Sequence, residues 1–412
     1  MFGTLFIKEC KQVLRSLAYY LYLIILIFFM ATQMGDNKII EKPEPGQENY
    51  GTKKSDDRQA IMEVTLANLV RQIEQESFAT YPTAFYKEVI PSQKEIEKLK
   101  EIVEECTGKN WDEIVNERIK HYSQYDLTDS EEAMMADVTY RLEPAAGASY
   151  EEFVKEMKKV CDIIGRGSDF EKSKFEQGVS VEKTYEDALE EYQAICDEDR
   201  LTGAYMRLFC DYAGIMLSLL PVFLGVTRCM RDKRSKAEEV IYARSGSSVA
   251  IMLGRYLANV VMIFVPVVLV AFIMQSSYLY QAKTIGITPD YIAFLAYSVI
   301  WLLPVILVVL SMSFLLTELT NGIAAVIIQV FWAFADLMSG GSLIGGFGRH
   351  LIVRWNTFGD TVNYLAQRRE LYMNRGIYTL AAIVFIVLTI LLYERKRKGG
   401  AGLNGKLLKD RC

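Results

Sequence analysis

The chain has 412 residues, a formal net charge of −5 and 51% apolar residues. These averages conceal two unlike parts: residues 36–203 hold 39 Asp and Glu against 22 Lys and Arg, whereas the rest holds 12 acidic and 24 basic residues and nearly all the long apolar runs. A single soluble domain is thereby excluded; the pattern is that of a mainly α, polytopic membrane protein carrying one acidic, water-exposed domain.

In residues 2–17, Phe2, Phe6, Val13 and Leu17 share one helical face, while Lys8, Lys11 and Arg15 share another. That amphipathic pattern predicts an interfacial helix against the cytoplasmic leaflet; a plain basic flank that sets orientation is the other reading. Leu17–Met34 contains no charged residue. It is longer than the roughly 7–15 apolar residues of a signal peptide and ends in Phe28-Phe29-Met30-Ala31-Thr32, so it is expected to be an uncleaved transmembrane anchor.

Residues 35–56, rich in Lys, Glu, Pro, Gly and Asn, read as a flexible linker. The acidic domain, 35–203, reads as helical. Ile61/Met62, Leu66, Leu69/Val70 and Ile73 recur at helix spacing. Pro91-Ser92-Gln93-Lys94-Glu95 is a capping box opening a helix through Ile96, Leu99, Ile102, Val103 and Cys106. Trp111–Ile119 continues after a break at Gly108, and Ser149–Ile164 repeats the pattern. Tyr185, Leu189, Tyr192 and Ile195 form a last stripe that is able to run on into the next span. Alternation at period two is scarce, so strands should be few. The acidic surface has three readings: solubility through paired surface charges, capture of a cationic ligand, or a catalytic carboxylate pair.

A second apolar stretch covers Tyr205–Thr227, with Arg207 and Asp211 at i, i+4 near its mouth, where they are expected to pair with each other. After it comes a basic run, Arg228, Arg231, Lys233, Arg234 and Lys236, then Glu238-Glu239 and a narrow apolar stripe of Ala237, Val240 and Ile241. Arg234 and Glu238 stand at i, i+4. A short charged helix is predicted over about 233–246, closed by Gly246, with Arg255 leading into the third span.

Further stretches are Leu257–Met274, Tyr291–Leu316, Gly322–Met338 and Ile377–Tyr393. Each reaches or approaches the roughly 17–25 residues that a spanning helix needs. Thr317–Asn321 joins two of them into a tight hairpin. Pro266 and Pro304 should kink or soften their helices. Asn259, Gln329 and Asp336 are polar residues within these spans, joined by Ser311 and Ser313. They are candidates for a translocation path or for hydrogen bonds between helices. Ser339–Gly348 is rich in glycine and apolar residues and reads as a re-entrant turn or a plain loop; Thr357–Met373 reads as an amphipathic helix leading back to the last span.

Lys8, Lys11 and Arg15, the run from Arg228 to Lys236, and Arg395–Lys398 fall on one side if the N-terminus is cytoplasmic and there are six spans. That topology puts 36–203 outside a cell membrane. Arg349, Arg354, Arg368, Arg369 and Arg375, on the outer side, run against the rule. Cys106, Cys161, Cys196 and Cys210 could form one disulfide or none. No Cys/His spacing suits a metal, and His121 and His350 are the only histidines.

The basic N-terminal helix with its Lys8-Glu9 pair, the six spans, and the segment running from Arg231–Lys236 through Glu238-Glu239 to Gly254-Arg255 together resemble the type-2 permease family of ATP-binding-cassette exporters. The resemblance covers 1–34 and 204–398; the large insertion between the first two spans is found in some branches. It implies a coupling helix seated in a groove on a separate ATPase subunit, with Glu238, Glu239, Ile241 and Arg244 as the contact residues. It also implies two permease halves and short half-helices near 339–348 closing the outer end. Gly400–Leu407 approaches a P-loop, but Leu407 stands where the Mg²⁺-binding hydroxyl belongs and no strand precedes it. No ATPase, cofactor or catalytic residue is therefore expected in this chain; ATP and Mg²⁺ would belong to the partner. No nucleic-acid partner is expected. The family exports peptides, antibiotics, lipids and similar amphiphiles. The competing expectation is a membrane-anchored sensor whose acidic ectodomain binds a cationic ligand.

Overall fold

The computed structural model describes all residues except 1, 36–38, 48, 83–85, 129, 244–245, 321, 340–349 and 399–412. Two compact units divide the chain: Met1–Glu41 together with Glu191–Cys412, and Lys42–Glu190.

The first unit is an apolar helical bundle. Its helices are α1 (Phe2–Leu14), α2 (Leu17–Met34), α3 (Thr202–Arg234), α4 (Glu238–Tyr242), α5 (Ser248–Thr284), α6 (Ala293–Thr320), α7 (Ile323–Ser339) and α8 (Thr361–Arg397). Five of them, α2, α3, α5, α6 and α8, are long and apolar enough to cross a membrane, and α7 is a shorter apolar helix. The chain is a multi-pass membrane protein. On α2, Tyr19, Tyr22, Leu26 and Met30 form a buried stripe at helical spacing, while Leu17, Ile24 and Phe28 face outward. Helix α6 is the central one: Val305, Ile306, Val308, Val309, Leu310 and Phe314 are all fully buried.

Proline leaves its mark in three ways. Pro221 stands at the start of the second half of α3, where its missing N–H interrupts the ladder just after Leu220. Pro266 lies inside α5. Pro304 follows a π-helical turn, Ser298–Leu302, which widens the helix where the ring would clash with the preceding turn. The hairpin between α6 and α7 depends on Gly322, whose φ of +103° suits glycine; a Cβ there would also crowd Val226 and Met230.

Two expected segments merge. The amphipathic stretch near Thr357–Met373 and the last apolar run form one helix, α8, of 37 residues, about 55 Å at ~1.5 Å per residue. Conversely, the Tyr185 stripe does not continue into α3. Its helix ends at Asp197, and Arg200 and Leu201 turn the chain with φ of +49° and +65°.

The second unit packs helices Arg58–Glu74, Gln93–Thr107, Trp111–Tyr122 and Tyr150–Ile164 around Leu66, Leu69, Val70, Leu99, Val103, Ile114, Met157 and Val160. Glu95 accepts from the Ser92 N–H at 2.8 Å, and Gly108, φ +68°, ends the same helix. Two short antiparallel ribbons complete it: Thr52–Lys54 with Ser180–Glu182, and Phe78–Thr80 with Lys87–Val89. The end of the presumed linker is thus a strand, because Thr52–Lys54 finds a partner far along the chain.

All six described cysteines, Cys10, Cys106, Cys161, Cys196, Cys210 and Cys229, are free thiols. Burial, then the Glu156 and Glu105 charges, push the Cys106 thiol up to about 12. Only the thiolate alkylates, so at pH 8 Cys106 should resist iodoacetamide in the folded protein and react on unfolding. Peptide mass spectrometry after a timed pulse checks this; labelling of native Cys106 at the rate of an open thiol would contradict the burial.

Candidate functional site

The bundle carries two ionic clusters at opposite ends of α3. Arg207 and Arg228 are 21 residues apart on that helix, about 31 Å at ~1.5 Å per residue.

At the first end, α1 lays Glu9 against α3 and α5. The Glu9 carboxylate is buried, and it accepts from Arg228 through Nε and Nη2, both at 2.6 Å. Arg228 also approaches Asp232 at 3.3 Å, and Asp232 accepts from Arg255 at 2.5 Å. Arg255 returns to Glu9 at 3.9 Å, closing a ring of two carboxylates and two guanidiniums, and its guanidinium lies 5.6 Å from the centre of the Tyr393 ring. The four formal charges cancel. Buried charges are tolerated on those terms: each keeps a partner and the remaining lone pairs are occupied. Nearby, Lys396 of α8 binds the Glu318 carboxylate at 2.8 Å and the Glu318 carbonyl at 2.5 Å.

Helix α4 is fastened to this end. Arg397 donates to the Tyr242 carbonyl at 2.9 Å and to the Gly246 carbonyl. The Tyr242 ring meets Tyr393 edge-on at 5.4 Å. The expected helix over 233–246 is shorter than its charge pattern suggested. Lys233 and Arg234 belong to α3, Lys236 turns with φ +53°, and only Glu238–Tyr242 is α4. Arg234 and Glu238 are therefore on different helices and do not form an i, i+4 pair. Of the coupling candidates, Glu239 is exposed, Ile241 is half-buried, and Glu238 is half-buried and accepts from the Tyr242 hydroxyl at 2.5 Å. Arg244 lies outside the described residues. Val240 is the apolar residue that α4 presents outward, at 61% exposure.

At the other end, carboxylates grip the segment between α7 and α8. Arg207 makes a two-pronged contact with Asp199, one prong at 2.6 Å, and Asp199 also accepts from the Thr361 hydroxyl at 2.5 Å. The Arg207 guanidinium stacks over Tyr364, 4.5 Å from the ring centre. Asp211 accepts from Arg354 Nε and from the Trp355 N–H, both at 2.5 Å, and from the Asn356 N–H. The expected Arg207–Asp211 pair is thus overturned: Arg207 takes Asp199, eight residues back, and Asp211 takes Arg354 and two N–H groups far along the chain. Asp336 accepts from the Ile352 N–H at 2.6 Å and from His350 at 3.1 Å. Arg375 donates to the Leu351 carbonyl at 2.9 Å and Asn374 to the His350 carbonyl at 3.0 Å. Leu351, Val353 and Trp355 are buried beneath. The re-entrant stretch expected over 339–348 falls almost wholly outside the described residues.

Within the spans, the polar candidates have separate partners. Asn259 donates to the Arg255 carbonyl of its own helix at 2.8 Å. Gln329 of α7 donates to the Ser218 carbonyl of α3 at 2.6 Å. Asp336 serves the segment described above. Ser313 makes the hydrogen bond between helices that is one of its two readings, to Val222 at 3.2 Å, and two tyrosines that hydropathy passes over do the same, Tyr22 to Ile263 at 2.8 Å and Tyr256 to Leu307 at 2.9 Å. Among the described residues no cluster of three His, Cys, Asp or Glu is placed to hold a metal. Glu9, Asp232 and Asp199 carry most of the site; Glu9 enters the sequence reading only through its Lys8-Glu9 pair, and Asp232 and Asp199 lie in charged runs that give no sign of their partners. No family model, curated protein or solved structure matches the chain.

Removing one partner of a buried pair strands the other charge, at a cost of roughly 3–5 kcal/mol. Glu9→Gln should destabilise the bundle by about that much, and Glu9→Gln with Arg228→Met should recover part of the loss. Thermal unfolding in detergent of the single and double variants measures both; an unchanged melting temperature for Glu9→Gln would contradict the ring.

Proposed function

We propose that this chain is the membrane-spanning permease subunit of an ATP-driven exporter. In this reading α7 is a sixth span, the N-terminus and α4 are cytoplasmic, and Lys42–Glu190 is extracellular. Two permease halves work with two separate ATP-binding-cassette ATPase subunits and move a peptide, antibiotic, lipid or similar amphiphile outward. Hydrolysis belongs to the partner.

The observation that carries the reading is the mounting of α4. Its Glu239 and Val240 face outward, while Tyr242 and Arg397 tie it to α8. The neighbouring ring of Glu9, Arg228, Asp232 and Arg255 joins α1, α3 and α5. A push on α4 reaches α8 through the Arg397 hydrogen bonds, and the ring of charges through the contacts of the Tyr393 ring with Tyr242 and Arg255, rather than through a loose loop. Packed side chains and hydrogen-bond networks of this kind are able to carry coupling between two sites. Asn259, Gln329 and Asp336 are kept as candidates for the path between the halves. Two of the arginines that opposed the charge rule, Arg354 and Arg375, fit this topology, because Arg354 is paired with Asp211 and Arg375 is buried against Leu351. They are committed to the fold rather than free in a loop.

The sensor reading has one observation in its favour. Lys42–Glu190 has its own core and an open cavity of about 600 Å³ lined by Arg58, Tyr150, Glu151, Lys155, Lys172 and Glu176. Glu238→Lys with Glu239→Lys separates the two. Purified with its native membrane partners, an exporter permease brings down a stoichiometric ATPase, and the double reversal should cut that association and ATP-dependent transport at least tenfold. A chain that elutes alone even after crosslinking would sink the exporter and leave the sensor.

A further inference from the structure

We propose that the groove between α5 and α8 is a binding site for one anionic phospholipid, with an acyl chain lying lengthwise in it and the headgroup on Arg395 and Lys398. The groove is a cavity of about 640 Å³, inside the range of roughly 300–1,000 Å³ typical of small-molecule sites. Its walls are almost wholly aliphatic. Val249, Leu253 and Leu257 come from α5, and Ile383, Val387 and Leu391 are the more exposed residues from α8. On α8 the lining runs from Thr379 to Glu394, and its apolar part, Ala382 to Leu391, covers about 14 Å at ~1.5 Å per residue. That is close to half of the roughly 30 Å hydrocarbon core, the depth of one leaflet. Tyr256 has its hydroxyl committed to the Leu307 carbonyl at 2.9 Å.

One end of the groove is charged. Leu391 and Glu394 line it and also line an adjoining pocket of about 460 Å³ whose other walls are Arg395 and Lys398. Of the four consecutive cations at the end of α8, Lys396 is committed to Glu318 and Arg397 to the Tyr242 and Gly246 carbonyls. Arg395 is exposed and makes no ion pair among the described residues, and Lys398 is 76% exposed while bridging Glu394 at 2.8 Å. Among the described residues lining the pocket, Glu394 is the opposing charge, and Lys398 bridges it. An aliphatic cleft one leaflet deep that opens on two cations matches the two parts of an anionic phospholipid; basic pockets between spans recognise such headgroups. The aliphatic walls oppose a polar peptide. A second copy of the chain would cover the walls and leave Arg395 unanswered.

The inference rests on the chain being a membrane protein and not on export, so it is tested on the permease chain alone. The chain is reconstituted in nanodiscs of equimolar phosphatidylcholine and phosphatidylglycerol, and lipids retained after gentle release are counted by native mass spectrometry. Wild type should retain one phosphatidylglycerol in clear preference to phosphatidylcholine. Arg395→Ala and Lys398→Ala, both at exposed positions, should each lower that preference by roughly fivefold. Ile383→Trp with Val387→Trp fills the groove and should abolish retention of either lipid. Equal retention of the two lipids by wild type, an unchanged preference in the alanine variants, or retention that survives the tryptophans would each overturn the proposal. Disulfide crosslinking of two copies through Ile383→Cys, with no lipid retained, would instead give the groove to a second copy.

Discussion

A buried carboxylate has to be neutralised, and the bundle is organised around that constraint at Glu9. The residue sits on α1, a helix whose remaining surface is amphipathic, and its charge is answered by Arg228 with Arg255 behind it. Without Glu9 the two guanidiniums would share Asp232 alone and leave one uncompensated positive charge in a buried site, where desolvation costs several kcal/mol per ion. The ring therefore fixes α1 against α3 and α5 more firmly than apolar contact alone, because in a lipid environment apolar contact distinguishes poorly between a helix and a lipid tail. Asp232 is the joint that makes the ring closed rather than linear, since it accepts from both arginines.

The opposite end meets a different constraint with the same chemistry. Residues 350–360 are irregular backbone packed onto apolar helices, and irregular backbone near a membrane survives only if its N–H and C=O groups find partners. Asp211 and Asp336 supply acceptors for the Trp355, Asn356 and Ile352 N–H groups, while Asn374 and Arg375 supply donors for the His350 and Leu351 carbonyls. Trp355 then fills the space beneath, with its indole N–H on the Gly359 carbonyl at 3.2 Å. Two ends, one made of charge pairs and one of carboxylates reading backbone, leave the middle of the helices nearly free of ionic contacts. The middle is held instead by tyrosine and serine hydroxyls donating to carbonyls of neighbouring helices.

Much of the fold was legible because hydropathy is a local property. Each long apolar run became a helix, and the capping residues and Gly108 marked their helix as read. The errors came where a local pattern met a distant competitor. Arg207 and Asp211 have the spacing of a pair, yet Asp199 and the segment after α7 offer each a better partner. Arg234 and Glu238 have the same spacing, yet Lys236 turns the chain between them. The amphipathic stretch Thr357–Met373 and the apolar run Ile377–Tyr393 read as two segments, yet packing along α6 carries one helix through both. The Thr52–Lys54 strand had no local signal at all, because its partner is at Ser180–Glu182.

The sequence by itself determined that this is a helical, multi-pass membrane protein with an acidic segment set between basic ones, since composition and apolar run length decide which solvent each segment tolerates. It also marked the short acidic helix after the second span and the polar residues inside the spans. Tertiary structure alone decided which charges neutralise one another. The Glu9–Arg228 partners are 219 positions apart and the Asp211–Arg354 partners 143. Pairing over such distances depends on where helices pack, not on spacing along the chain, and only the packed bundle brings those groups within hydrogen-bond reach.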